Sequence, residues 1–133
     1  MKVVLDTNVV VSGLITRTGA CATILDLLVG GTFKAVLDAR IMDEYQRVCA
    51  EPRLNLDSDA VRELLRLLED VAERVAAAPL KADAVDSNDL PFLEVATGAD
   101  AVLVTGNKKH FPRRVASPVL VMSPREFLDM LRA

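Results

Sequence analysis

The stretch Lys2-Val3-Val4-Leu5-Asp6-Thr7-Asn8 decides the fold. Its run of aliphatic and β-branched residues predicts a buried strand of a parallel sheet. The apolar run stops abruptly at a carboxylate, a hydroxyl and an amide. In open α/β folds the ligand-binding crevice lies outside the carboxyl ends of the strands, so these polar groups fall where chemistry is usually done. The alternative is that one of the three polar side chains only caps the next helix.

The rest of the chain alternates short apolar strands with amphipathic helices. Strands are predicted at 33–37, 101–104 and 118–122, and helices at 9–15, 20–29, 40–50, about 58–77, 90–98 and from 124 onward, with 74–79 as an alternative strand. The order β-α-α-β-α-α-α-β-β-α predicts an α/β fold, a three-layer α/β/α arrangement around a mainly parallel sheet. At 133 residues, the chain is expected to form one domain, 1–133.

Composition narrows the class of protein. The chain is 51% hydrophobic without tryptophan, so the core should consist mostly of Leu, Val and Ala. No apolar run reaches the roughly 18 residues of a membrane span, and no membrane partner is expected. Cys21 and Cys49 lie in apolar helical patterns, which favours small core residues in a reducing cytosol and a cytoplasmic location. A net charge of −3 argues against a general nucleic-acid coat but is compatible with a nuclease whose site collects acids.

Acidic and amide side chains occur in segments that the predicted fold brings toward one edge of the sheet. Parallel strands end at one edge, and the helices that follow them begin nearby, so these groups should be neighbours. Carboxylates packed together repel one another unless a cation neutralises them. Oxygen ligands without His or Cys select Mg²⁺ or Mn²⁺. The candidate ligands are Asp6, Glu44, Asp86, Asp89 and Asn107.

Ordinary structural roles compete with this interpretation. Glu44 borders the apolar stripe of helix 40–50, but it could form a surface pair with Arg40 instead. Asp43 and Arg47 are expected to form an exposed pair on the same helix. Asp83 belongs to the same acidic run as the two later aspartates, each three residues apart.

A basic segment follows Asn107. Positive charge beside an acidic metal pocket would steer a polyanion such as a nucleic acid toward it, although a solvated loop would show the same residues. The sole histidine, His110, has no partner His or Cys nearby and is expected at the rim of the site, where it could contact a phosphate. The candidate RNA-binding residues are Arg17, Lys108, Lys109, Arg113 and Arg114.

Taken in order, these motifs resemble the PIN-domain nucleases, particularly the VapC-like toxin component of toxin–antitoxin pairs. The resemblance is carried by VVLDTNVVVSGL at 3–14, IMDEYQRV at 41–48 followed by EPRL, and DSNDLPFLEVATGADAVLVTGNKKHF at 86–111. It implies a central parallel sheet and divalent-metal-dependent RNA cleavage by a metal-activated water that leaves a 5′-phosphate. It also implies that Asp6, Glu44 and Asp89 are the catalytic, metal-binding acids.

The resemblance assigns supporting roles as well. Thr7, Asn8 and Thr105 would support Asp6 by hydrogen bonding. Asp86 would add a ligand directly or through water.

The chain departs from the family pattern at two positions. Many members carry Asp where this chain has Asn107, and loss of that charge puts the binding of two metals in doubt unless Asp86 substitutes. Asp38 stands where the family often has a small hydroxyl residue, and it is interpreted as a helix cap.

The same resemblance implies protein partners. Family members form homodimers and bind an antitoxin that occludes the site. The helix at 20–29 is our candidate for the dimer face.

Two other functions remain open from the residues. One is a phosphotransfer module in which Asp6 is the phosphorylated nucleophile and Lys108 the required lysine, although Glu44 would then be idle. The other is a catalytically weak or silent binding module of the same fold, in which Asn107 weakens the metal site.

Overall fold

A five-stranded parallel sheet organises the molecule, which a computed structural model describes over residues 1–81 and 84–133. The strands are β1 (Lys2–Leu5), β2 (Lys34–Leu37), β3 (Glu73–Arg74), β4 (Val102–Val104) and β5 (Val121–Met122). Their order across the sheet is β3-β2-β1-β4-β5, and every neighbouring pair is parallel. The predicted α/β class and parallel sheet are therefore confirmed, with β1 at the centre.

Helices connect the strands and cover the sheet. They are α1 (Thr7–Ile15), α2 (Ala20–Val29), α3 (Ala39–Cys49), α4 (Ser58–Val71), α5 (Leu90–Ala99), α6 (Arg113–Ala116) and α7 (Pro124–Arg132). Two short 3₁₀ turns lie at Pro52–Leu54 and Lys108–His110. α7 begins with a capping box, in which Ser123 Oγ accepts from the backbone N–H of Glu126 at 3.1 Å and Glu126 Oε1 accepts from that of Ser123 at 2.8 Å.

The long helix expected at 58–77 is wrong after Val71. α4 ends at Val71, and Ala72 takes an extended backbone conformation. The next two residues then form β3, and Val75 N–H donates to the carbonyl of Leu37 at 3.2 Å. This strand corresponds to the one that the sequence offered as an alternative at 74–79, and it begins one residue earlier. An Ala-rich segment favours a helix locally, but the unpaired edge of β2 offers hydrogen bonds that only tertiary structure reveals.

Apolar residues of the strands and helices form one core. Val3, Val4 and Leu5 of β1 are all buried. Phe33 and Phe127 meet edge to face with ring centroids 5.3 Å apart, which ties the start of β2 to α7. Cys49 is buried and Cys21 half-buried, both as free thiols.

No single helix in residues 1–81 and 84–133 is long and apolar enough to cross a membrane. In the same residues, α1 and α2 together reach the length and composition of a span, but they are bent by 99° relative to each other.

Candidate functional site

Asp6 lies at the centre of the carboxyl edge, directly after β1. Its backbone N–H donates to Val104 O of the neighbouring strand at 2.9 Å. The carboxylate is 5% exposed, and its Oδ2 accepts from Thr105 Oγ1 at 2.7 Å and from Asn8 Nδ2 at 3.3 Å. Burial raises the pKa of Asp6, and the negative charge of Glu44 raises it further, although the Thr105 hydroxyl lowers it. Asp6 is thus a buried acid oriented by neutral donors.

Asn8 contacts the turn after β4 as well as Asp6. Its Oδ1 accepts from the backbone N–H of Gly106 at 3.0 Å, so the amide connects the start of α1 to the turn after β4. A Cβ on Gly106 would lie 3.4 Å from Asn8 Oδ1, at about van der Waals contact, so the two residues are close neighbours.

Glu44 is brought to the same edge by α3. Thr7 Oγ1 donates a short hydrogen bond to Glu44 Oε2, so the hydroxyl predicted to support Asp6 contacts this acid instead. Tyr45, the next residue, donates its hydroxyl to the carbonyl of Leu5 at 2.5 Å, which anchors α3 to the end of β1. Glu44 is therefore held by two contacts between α3 and the first polar turn.

The predicted ion pairs on α3 are wrong. Arg47 Nη2 lies 3.6 Å from Glu44 Oε1, whereas the sequence predicted a pair of Arg47 with Asp43. Arg40 contacts Asp38 and an acid of α5, not Glu44. On a helix, spacings of three and four residues both place side chains side by side, so the pattern alone does not choose the partner.

Asp86 and Asp89 form the turn that begins α5. Asp86 Oδ1 accepts from the backbone N–H of Asn88 at 2.8 Å, and its carbonyl accepts from that of Asp89 at 2.9 Å. Asp89 occupies the N-cap position, but its carboxylate makes no cap hydrogen bond. Burial, followed by the charge of Asp6, raises the pKa of Asp89, with smaller contributions from Asp86 and Glu44. Asp89 therefore lies within electrostatic reach of the other three acids. Asp83 lies outside the described residues.

Asn107 lies on the turn after β4 and joins the groups around it. Its backbone N–H donates to Thr105 Oγ1 at 3.1 Å, and its Nδ2 lies 2.9 Å from His110 Nε2. His110 Nδ1 in turn lies 3.3 Å from Asp89 Oδ2. The histidine expected only at the rim therefore contacts two candidate ligands. Its three-residue spacing from Asn107 was the one signal of this contact in the sequence.

The donor set determines which cation could be held here. No three His, Cys, Asp or Glu side chains within residues 1–81 and 84–133 are arranged to hold one metal ion. The acids at this edge nevertheless offer only oxygen, and burial raises the pKa of Asp6 because it removes water from the carboxylate. These residues fit a hard divalent cation by their chemistry.

Glu94 is a buried acid that sequence reasoning missed. It is 6% exposed on α5, where its carboxylate accepts from Arg40 Nη1 at 2.6 Å and from the backbone N–H of Leu80 at 2.8 Å. Arg40 also lies 2.8 Å from Asp38, whose other oxygen accepts from Ile41 N–H at 3.1 Å. Asp38 is therefore the predicted cap of α3. The one available signal was a glutamate on the otherwise apolar stretch of α5.

The candidate RNA-binding residues do not form one surface. Lys108 Nζ lies 2.9 Å from Glu126 Oε1, so its ammonium is directed to α7 and not to Asp6. This contact disfavours the phosphotransfer alternative. Lys109, Arg113 and Arg114 are exposed on the 3₁₀ turn and α6.

Arg17 belongs to a different part of the surface. It lines a groove of about 620 Å³ between α1, α2 and the first half of α4. None of the other candidate site residues lines this groove.

Comparisons with known proteins agree with this arrangement. The family profile described as PIN domain matches residues 2–109, which confirms the resemblance to that family. An uncharacterised protein of Methanocaldococcus jannaschii is 26% identical over 140 residues, covering 97% of this chain and 90% of that protein.

Solved structures share the fold. VapBC2 from Rickettsia felis, solved with a DNA fragment from its promoter, superposes with a TM-score of 0.60 at 18% identity, over 92% of this chain and 98% of that one. FitAcB from Neisseria gonorrhoeae gives 0.56 at 17% identity over the same shares of the two chains.

Proposed function

This chain belongs to the PIN-domain family, and from that premise we propose that it is a divalent-metal-dependent endoribonuclease, the toxin of a toxin–antitoxin pair. The observation that carries the proposal is the buried Asp6 at the centre of the carboxyl edge, with Glu44 and Asp89 within electrostatic reach. The charge of Glu44 raises the pKa of both Asp6 and Asp89, and carboxylates this close are costly to keep together unless a cation neutralises them.

We assign Asp6, Glu44 and Asp89 as the ligands of Mg²⁺ or Mn²⁺. Asp86 and the side-chain amide oxygen of Asn107 are assigned as further ligands. When bound, such a cation lowers the pKa of water and neutralises charge on the phosphate oxygens. The chain's own contribution is orientation of these acids. Thr105 and Asn8 hold Asp6, and Thr7 holds Glu44.

The RNA strand is assigned to the exposed basic residues beside this edge. Lys109, Arg113 and Arg114 have no acidic partner within 4.0 Å in the described part of the chain, so their charges are available to phosphates. Lys108 would contribute less because Glu126 competes for its ammonium. Arg17 would contact RNA only if the strand extends toward the groove between α1 and α4.

The protein partners are a cognate antitoxin and a second copy of the chain. Support for the antitoxin comes from VapBC2 and FitAcB, toxin–antitoxin complexes that share this fold. The dimer face is assigned to α2, on which Val29 is largely exposed. Its test is the mass of the purified protein in solution, which should be twice that of the chain. We place the protein in the cytoplasm, where RNA and both partners would be available.

The proposal is tested by incubating purified protein with a mixed RNA pool, with Mn²⁺ and then with excess chelator. Asp6→Asn and Asp89→Asn should abolish cleavage, because each removes one of the anionic ligands. Arg66→Ala, an exposed change on α4, is the matched control and should cleave like the wild type.

Other results would overturn the proposal. Cleavage without metal that survives both substitutions would place the activity elsewhere. Absence of cleavage together with absence of Mn²⁺ binding by calorimetry would favour the silent module, and Asn107 would be the residue to examine.

A further inference from the structure

We propose that His110 is a positioning residue that holds Asp89 and Asn107 in place through a single tautomer of its ring. The inference rests on the proposed function, because it concerns two of the residues assigned to the metal. Its evidence is a set of hydrogen bonds together with one ion-pair contact of 3.3 Å between His110 and Asp89, and none of them depends on a bound ion.

The two nitrogen atoms of the ring face different kinds of partner. Nδ1 lies 3.3 Å from Asp89 Oδ2, and a carboxylate only accepts hydrogen bonds. Nε2 lies 2.9 Å from Asn107 Nδ2, and an amide nitrogen only donates. Both contacts are satisfied at once when the hydrogen is on Nδ1 and Nε2 is free to accept. The surroundings thus select one tautomer.

The ring closes a chain of contacts across the carboxyl edge. Thr105 Oγ1 donates to Asp6 at 2.7 Å and accepts from Asn107 N–H at 3.1 Å. Asn107 Nδ2 continues to His110, whose ring reaches Asp89. The acid after β1 and the acid before α5 are therefore connected through groups on one short turn.

The backbone keeps the ring at this position. The N–H of His110 donates to the carbonyl of Asn107 at 3.1 Å, and that of Phe111 donates to Lys108 O at 3.0 Å. Phe111 itself is buried in the core. His110 thus lies on a tight turn anchored by its neighbour, although its own side chain is half-exposed.

The arrangement also accounts for an amide at position 107. With Nδ2 turned to His110, the amide carbonyl oxygen is left available to a cation or a water. A carboxylate there has no hydrogen to give to Nε2, so the ring would need a second hydrogen to contact both neighbours. Asn107 and His110 are consequently a matched pair in this chain.

The first experiment determines by NMR which nitrogen of the His110 ring carries the hydrogen. The protein has one histidine, so the ring nitrogen resonances of ¹⁵N-histidine-labelled, metal-free protein are assigned without ambiguity. We expect the neutral ring to carry its hydrogen on Nδ1. Asn107→Ala removes the donor to Nε2 and should allow the other tautomer to populate. A neutral ring with its hydrogen on Nε2 would overturn the inference.

The second experiment measures Mn²⁺ affinity by calorimetry. His110→Ala should weaken binding by about 10-fold, the usual effect of losing a partner that orients a ligand. His110→Gln should restore most of the affinity, because its amide can donate to Asp89 and accept from Asn107. Arg66→Ala is again the control, and circular dichroism verifies that each variant is folded.

The outcomes separate this inference from the function on which it rests. Wild type that binds Mn²⁺ and cleaves RNA, with His110→Ala equal to it in affinity, overturns only the role of His110. Wild type that neither binds Mn²⁺ nor cleaves RNA overturns the nuclease proposal, and the positioning role falls with it. Weakening by His110→Ala that His110→Gln does not repair also contradicts positioning by hydrogen bonds.

Discussion

Glu94→Ala should destabilise the protein strongly, although the residue lies outside the proposed metal ligands. Glu94 connects α5 to Arg40 at the start of α3 and to the backbone of Leu80. Arg40 lies four residues before Glu44, and Glu94 lies five after Asp89, so the pair holds together the two helices that deliver these acids. Side-chain hydrogen bonding with Glu94 is also the main reason that the pKa of Arg40 is raised.

The magnitude follows from the burial of each partner. Removing one member of a buried ion pair costs about 3–5 kcal/mol. Arg40 is 48% exposed and keeps Asp38 at 2.8 Å, so solvent and the second acid reduce the loss. The unmet N–H of Leu80 adds to it. We expect about 3 kcal/mol for Glu94→Ala, or a fall in Tm of about 10 °C for a chain of this length.

Arg40→Ala should cost more, about 4 kcal/mol, because it leaves a carboxylate with little exposure and only one backbone partner. Urea unfolding at pH 7 measures each variant. The matched control is Glu69→Ala, which breaks the exposed pair with Arg74 and should cost less than about 1 kcal/mol. The reasoning is refuted if Glu94→Ala costs no more than the control, or if Arg40→Ala costs less than Glu94→Ala.

Further perturbations test other parts of the structure. Burial raises the folded-state pKa of Asp6 above its ordinary value of 3.8, so the ionised acid opposes folding at neutral pH. This opposition declines as the pH falls through the raised pKa and is absent below about 3.8. Asp6→Asn should therefore be more stable than the metal-free wild type at pH 7, with a gain that vanishes near pH 3.8 in thermal melts. Mn²⁺ at about 100 times its Kd should stabilise the wild type by about 2.7 kcal/mol. A similar gain in the Asp6→Asn variant would contradict the role of Asp6 as a metal ligand. Ser123→Ala should cost about 1 kcal/mol in urea unfolding, because the capping hydroxyl of α7 is lost. The backbone N–H of Ser123 is the main cause that lowers the pKa of Glu126 to about 2, so the contribution of Glu126 to stability is present above pH 4.5 and is lost as the pH falls through about 2. Arg114→Ala should reduce the slope of log affinity for single-stranded RNA against log salt by about 0.7. Lys108→Ala should change this slope less, because the Lys108 ammonium already pairs with Glu126. Fluorescence anisotropy titrations measure both slopes, and equal slopes for the two variants would argue against this difference.

Much of the fold was predictable because its signals are local. The apolar run that ends at Asp6 predicted the central strand, and the capping box of α7 is formed by a serine and a glutamate within positions 123–126. The cap formed by Asp38 was also predictable, because its partner lies three residues away. Such features depend on hydrogen bonds and side-chain periodicity within one or two turns of the chain.

The candidate site divides in the same way. Residue type and order were enough to nominate Asp6, Glu44 and Asp89, and the parallel topology explains why their segments share an edge. Which oxygen each hydroxyl contacts was not predictable: Thr7 was expected at Asp6 and donates to Glu44. That choice depends on where α3 lies against β1, which the local pattern does not specify.

Tertiary structure decided the contacts between residues far apart in sequence. Arg40 pairs with Glu94 across 54 positions, and Lys108 pairs with Glu126 across 18. The segment after α4 becomes β3 because β2 presents an open edge, against the helical preference of its alanines. The amino-acid sequence by itself therefore determined which chemical groups lie at the edge of the sheet. Packing of the helices determined their partners, because a charged side chain pairs with whichever group burial brings within reach.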